Sequence, residues 1–134
     1  MSTVNSIAVN TAPSVAQVAG TQGGATATPV ISTSGTNATV LKSTAGGHVY
    51  SWNLFNNAAY AVYVHFYDMT TTPNVGTSPV YFPLEIGAGQ TATLNHAVGI
   101  VFHNGIAFSI TKAAANSDTT VIAANDVVGH ITTA

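Results

Sequence analysis

The sequence predicts an all-β fold, an antiparallel sandwich or a barrel, and three observations carry that prediction. Apolar residues recur with a period of two in several separate runs. Clusters of Gly, Asn, Asp and Pro punctuate those runs at short, regular intervals. No segment carries the sustained i, i+3, i+4, i+7 apolar stripe that a helix would need. A length of 134 residues fits one domain, and there is no internal repeat at a solenoid period.

The elements follow in chain order. Residues 1–36 carry no charged and no aromatic side chain, and they include Pro13, Pro29 and the cluster Gly20-Thr-Gln-Gly23-Gly24. Without large side chains this stretch offers few anchors for a core of its own. It reads as an extended N-terminal arm over residues 1 to about 25, with a candidate edge strand at about 26–33. The sandwich domain is then expected over 37–134. Tyr50, Trp52 and Leu54 alternate with Val49, Ser51 and Asn53, the pattern of a half-buried strand. Ala59–Tyr67 is apolar on both faces and reads as a central strand. Tyr60, Val62, Val64 and Phe66 are expected to face the core, and Tyr63, His65 and Tyr67 to face outward toward a partner. Val80, Phe82, Leu84 and Ile86 alternate with Tyr81, Pro83 and Glu85. Ala97–Phe102 suggests a hairpin flanked by His96 and His103. Asn104-Gly105, between two apolar alternations, is the strongest short hairpin signal, because both residue types tolerate positive φ. Ile106, Phe108 and Ile110 alternate with Ala107, Ser109 and Thr111, and Lys112–Ala115 is the one place for a single helical turn.

Charge narrows the function. Only Lys42, Lys112, Asp68, Glu85, Asp118 and Asp126 are formally charged, 4% of the chain, for a net charge of −2. Globular domains average about 25%. Thr, Ser and Asn number 20, 10 and 11, so hydroxyls and amides must wet the surface. Two isolated lysines cannot neutralise a phosphate backbone, which excludes nucleic-acid binding of the electrostatic kind. The absence of cysteine removes disulfides, thiolate metal sites and cysteine nucleophiles. No run of about 20 apolar residues spans a membrane. The first residues lack the basic and apolar regions of a secretory signal. Little net charge leaves little repulsion between copies, so the surface is expected to be covered in an assembly.

Reactive chemistry finds little support. His48, His65, His96, His103 and His130 show no metal-ligand spacing, and no carboxylate accompanies them at such a spacing. Asp118 and Asp126 sit in turn sequences, Asp68 ends a strand and Glu85 lies on an outward strand face, so no acid pair is implied. No serine sits in a nucleophile elbow, and no phosphate-binding glycine loop is present. Asn37-Ala38-Thr39 matches a glycosylation sequon, relevant only in a secretory context. The expectation is a protein that is not an enzyme and has no cofactor or metal. Trp52, Tyr50, Tyr60, Tyr63, Tyr67, Tyr81, Phe82 and Phe102 fit either a sugar-stacking platform or core plus subunit interface, and the latter is favoured. Candidate interface residues are Tyr63, His65, Tyr67 and Tyr81 on the sandwich, and Val4, Ile7, Val9, Val15 and Val18 on the arm.

Three stretches, Lys42-Ser-Thr-Ala-Gly-Gly-His-Val-Tyr50, Asn56–Asp68 and Pro73-Asn-Val-Gly76-Thr-Ser-Pro79, carry a resemblance. So do Ile86-Gly-Ala-Gly-Gln90, Phe102–Phe108, Ser117-Asp118-Thr-Thr and Asn125-Asp126-Val-Val. Over about residues 40–134 the chain resembles the small capsid cement, or decoration, proteins of tailed bacteriophages. That resemblance implies a single antiparallel β-sandwich, jelly-roll-like, on the outer surface of the virion, made in the host cytoplasm. It implies the major capsid protein and the chain itself, as homodimer or homotrimer, as partners, with no nucleic acid and no membrane. It implies no catalytic residues. Related sandwiches also occur in tails and head fibres, so the second expectation is a module that binds host-surface glycan.

Overall fold

The computed structural model describes residues 24–134, and within them the chain forms eight strands and no helix. They are β1 (Thr26–Ile31), β2 (Thr39–Lys42), β3 (Gly47–Asn56), β4 (Val62–Tyr67), β5 (Phe82–Ile86), β6 (Thr91–Phe102), β7 (Ile106–Thr111) and β8 (Val127–Thr133). The strands divide into two four-stranded sheets, ordered β1-β8-β3-β6 and β2-β7-β4-β5, with every pair antiparallel. Only β4 and β5 are consecutive neighbours in one sheet, so every other connection crosses the sandwich. That strand order is the double Greek key of a jelly roll. Apolar positions of both sheets meet between them: Val30, Val49, Trp52, Leu54, Val127 and Ile131 from one, Val62, Val64, Phe66, Ile86, Ile106 and Ile110 from the other. The rings of Trp52, Phe66, Phe82 and Phe102 cluster in this core, with Trp52 and Phe66 stacked at 5.3 Å.

Several expectations change. The edge strand at 26–33 is β1, paired along its length with β8, and its Val30 belongs to the core. The sandwich therefore begins at Thr26, ahead of residue 37. In β3 the alternation slips, because the register with β6 and β8 shifts between Val49 and Ser51. This bulge turns Val49 into the core and leaves Tyr50 on the outer face. Ala97–Phe102 is part of the long strand β6 rather than a hairpin, with the four residues His96, Ala97, Val98 and Gly99 standing opposite the single Tyr50. Asn104-Gly105 is not a hairpin turn either, since β6 and β7 lie in different sheets. A Cβ at Gly105 would lie 2.4 Å from the Met69 carbonyl oxygen and 2.8 Å from that of Lys42, so the glycine serves close backbone approach instead of positive φ. Lys112–Ala115 makes no helical turn.

Side chains from the turns fasten the crossovers. Asn56 is fully buried. Its Nδ2 donates to the carbonyls of Tyr60 (2.7 Å), Ile86 (2.9 Å) and Gly87 (3.1 Å), and its Oδ1 accepts from the Ala58 amide (2.9 Å). One side chain thereby ties the end of β3 to the end of β5. Asp68, just past β4, accepts from the amides of His103 (3.0 Å), Asn104 (2.7 Å) and Gly105 (3.3 Å), holding the β6–β7 crossover. Ser32 Oγ donates to the Ala123 carbonyl (3.0 Å) and accepts from the Val127 amide (3.0 Å), which fixes β1 against the entry to β8.

Candidate functional site

The two sheets present very different outer faces. Over β7 and β4, the two middle strands of β2-β7-β4-β5, the chain covers itself, while Pro83 and Glu85 on the edge strand β5 stay exposed. Every residue of β7 is buried, and so are His65 and Tyr67 on the outward side of β4. His65 is 2% exposed, with its Nε2 3.0 Å from Thr111 Oγ1 and 3.3 Å from the Ala113 carbonyl. Tyr67 OH pairs with Ser109 Oγ at 2.8 Å. Residues 68–81 and 112–126 meet above them: Pro73 is buried, and a Cβ at Gly76 would lie 2.7 Å from Thr119 Cγ2. The expectation that His65 and Tyr67 await a partner is therefore corrected, because the chain's own loops occupy that position. Small side chains on β7, Ala107 and Ser109, leave room for this cover.

The remaining candidates scatter. Tyr63 is half-buried, with its hydroxyl 3.3 Å from Glu85 Oε2, and partial desolvation followed by that carboxylate raises its pKa. Tyr81 is exposed but lies on the seam toward β6, its hydroxyl donating to the Val101 carbonyl (3.1 Å) and its ring edge-on to Phe102. Val4, Ile7, Val9, Val15 and Val18, with the rest of the expected arm up to residue 23, lie outside the described residues. The aromatic residues do not assemble into one exposed platform. Trp52, Phe102 and Tyr67 are buried, Tyr60 donates to Asp126 beneath Lys112 Nζ, and Tyr50 belongs to the other sheet.

Charge follows the same division. Lys42 lies in β2 and Glu85 in β5. Asp68, Lys112, Asp118 and Asp126 lie in the connections. Burial pushes the Asp68 carboxyl up, but three amide donors outweigh it and hold the pKa below the ordinary value. At Asp118 the hydroxyl of Thr120, then that of Thr111, likewise outweighs burial. None of the six charged residues falls in β1, β3, β6 or β8. No group of three His, Cys, Asp or Glu that could hold a metal occurs among the described residues.

The outer face of that uncharged sheet is the candidate site. The pairing registers align its outward residues in rows across the strands. Ile31, Val128, Phe55 and Thr91 form one row, Pro29, His130, Asn53 and Thr93 the next, and Ala27, Thr132, Ser51 and Asn95 the third. The first row is apolar over three strands, with Ile31 62%, Val128 39% and Phe55 38% exposed. Over β8, β3 and β6 the middle rows are hydroxyls, amides and one imidazole, with the apolar Pro29 and Ala27 beside them on β1. Beyond them the rings of His48 and Tyr50 stack at 5.7 Å over Gly99, where a Cβ would lie 2.9 Å from the Tyr50 ring. Exposed Val98 and Val101 flank that stack. Among the described residues no loop covers this face. A cleft of about 100 Å³ runs beside it along the seam between β1 and β2, lined by Pro29, Ile31, Thr39, Leu41 and Phe108. That is well below the roughly 300 Å³ of an ordinary small-molecule site. The chemistry available here is adhesion: apolar contact, hydroxyl and amide hydrogen bonds, and no desolvated charge. The sequence matches no protein-family model and no curated protein.

Proposed function

We propose that this protein is a virion structural protein: a cement or decoration protein on the outer surface of a tailed-phage capsid that bridges and stabilises major capsid protein subunits. The observation that carries the reading is the open sheet face without a formal charge. Exposed apolar rows on an uncharged sheet offer little to keep copies apart in water and much to bury against a neighbour. The preceding residues 1–23 are also uncharged. The resemblance over residues 40–134 and the jelly-roll strand order, an architecture common in viral shells, support the same reading. The physical role is additive. A shell under internal pressure ruptures at subunit junctions, and each junction bridged by a decorating protein must lose that contact first. Many symmetric copies multiply a modest gain per site.

The test is binding of the purified chain to emptied heads of the cognate phage, imaged on the lattice. The expected result is density at a fixed lattice position and heads that break at a higher temperature. Protein that stays wholly in the supernatant rejects the proposal. A chain lacking residues 1–25 should decorate with lower occupancy; wild-type occupancy assigns attachment to the sandwich alone.

A further inference from the structure

We infer that the outer face of β1-β8-β3-β6 is closed by a second copy of this chain, packed face to face about a two-fold axis in the plane of contact. The inference deepens the assembly reading of that face, and it names the partner the face itself fits.

Three features point to a copy of the same surface. The first is charge. A partner carrying ionised side chains would have to desolvate them against a face that offers no counter-charge. A second copy brings none, since β1, β3, β6 and β8 contain no Lys, Arg, Asp or Glu. The second is the order of the rows. One end of the face is apolar (Ile31, Val128, Phe55), the middle is polar (His130, Asn53, Ser51, Thr132), and the far end is again aromatic and apolar (Tyr50, Val101). A two-fold axis along the strands lays each end on itself. A two-fold axis across the strands lays each end on the other. Both operations match apolar with apolar, and both put hydroxyls and amides, which donate and accept, opposite their own kind. The third is area. Four strands about 4.8 Å apart, with six to twelve residues each rising about 3.3 Å per residue, give a face of roughly 500 Å². Two such faces bury about 1,000 Å², the least expected of a specific interface. The opposite sheet offers no equivalent surface, because β7 and the outward His65 and Tyr67 of β4 are buried, and the exposed edge strand β5 carries Glu85.

The molar mass of the full chain, followed by sedimentation equilibrium across a dilution series, tests this. The expected result is a monomer–dimer equilibrium. Phe55→Glu and Ile31→Glu should each weaken it by about 100-fold, because a carboxylate would be buried without a partner. Val121→Glu, an exposed valine in the β7–β8 connection, should leave it unchanged. All three positions are exposed enough to accept a charge in the monomer, and an unchanged unfolding midpoint confirms it. A chain that stays monomeric, forms a trimer, or dimerises equally well as Phe55→Glu and Ile31→Glu overturns the inference. So does a dimer that survives both substitutions and is lost on deleting residues 1–23, which would place the contact in the N-terminal segment. Phe55→Glu that no longer dimerises but still decorates heads upholds this inference independently of the shell. Normal dimers that ignore heads reject the capsid reading and leave this one standing.

Discussion

The two sheets are built from the same residue types and solve opposite problems. The sheet β2-β7-β4-β5 is closed over its two middle strands within the chain: β7 is buried throughout, and the outward His65 and Tyr67 of β4 are buried and hydrogen-bonded to Thr111 and Ser109. The sheet β1-β8-β3-β6 has no such cover among the described residues, and Ile31, Phe55 and Val128 are exposed on it. Long connections account for the difference. Fourteen residues separate β4 from β5 and fifteen separate β7 from β8, and both connections are placed to lie on the first sheet. These same loops carry Asp68, Lys112, Asp118 and Asp126, so covering a face and charging a surface are done by one set of residues. A closed face needs charge outside it to remain soluble, whereas an open face gains from having none if another surface is to meet it.

Substitutions can separate the two sheets by their effect on stability. Gly129→Ala strikes the uncharged sheet at its centre. In β8 the glycine lies against β3 so closely that a Cβ would sit 1.9 Å from the Asn53 carbonyl oxygen, and that backbone cannot yield without breaking the ladder. A loss of about 4 kcal/mol or more is expected in denaturant unfolding. A loss under about 1 kcal/mol would show that β8 can move away from β3, and that the flat face is soft. Asn56→Ala acts on the junction of both sheets. It leaves one buried carbonyl, two part-buried carbonyls and one buried amide without this partner, for an expected cost of about 3 kcal/mol. Asp68→Ala removes the acceptor of three amides at the β6–β7 crossover, where water can partly replace it, and should cost about 1–2 kcal/mol. If Asp68→Ala proved the most damaging of the three, the crossover would hold the sheets together more than the ladder does.

Much of this fold is legible in the period of two. The strands around Trp52, Val64, Leu84 and Phe108 lie where alternation puts them, and Asp68 ends its strand as expected. Alternation reports two faces of a strand, but it does not report what covers each face. His65 and Tyr67 read as an open surface because the cover comes from residues far along the chain, around Ala113 and Thr119. Asn104-Gly105 reads as a hairpin because local turn chemistry carries no information about which sheet the next strand joins. The bulge at Tyr50 shows only against its partners β6, where four residues stand opposite it, and β8, both more than forty positions away. The candidate face suffers the same blindness. A shortage of charge is visible in the composition, but its confinement to one side appears only when β1, β8, β3 and β6 are seen to be neighbours. Ala107 and Ser109 were the available hint, since small residues on the second face of an apolar strand leave room for something to lie over it.

Acid should distinguish the covered face from the open one with the smallest effect of the series. Burial lowers the pKa of His65, against weaker opposing contributions from the Ala113 carbonyl and from Asp118, and its Nδ1 has no hydrogen-bond partner among the described residues. The folded chain therefore holds the imidazole neutral at a pH where the unfolded chain already binds a proton. Stability should be level above the ordinary histidine value of 6.5 and fall as pH drops below it, until the folded form takes up the proton too. The carboxylates of Asp68 and Asp118 have lowered pKa values, so their contributions are lost only in stronger acid, below the ordinary 3.8. Thermal unfolding of the chain and of His65→Gln between pH 7 and 5 isolates the effect. The wild type should lose stability over that range by more than the variant does. Equal slopes would mean that protonation at His65 is not opposed by folding, and that the loops over β4 open readily enough to let a charged ring reach water. Because those loops are what make the two sheets different, that result would also remove the reason for assigning assembly to one sheet alone.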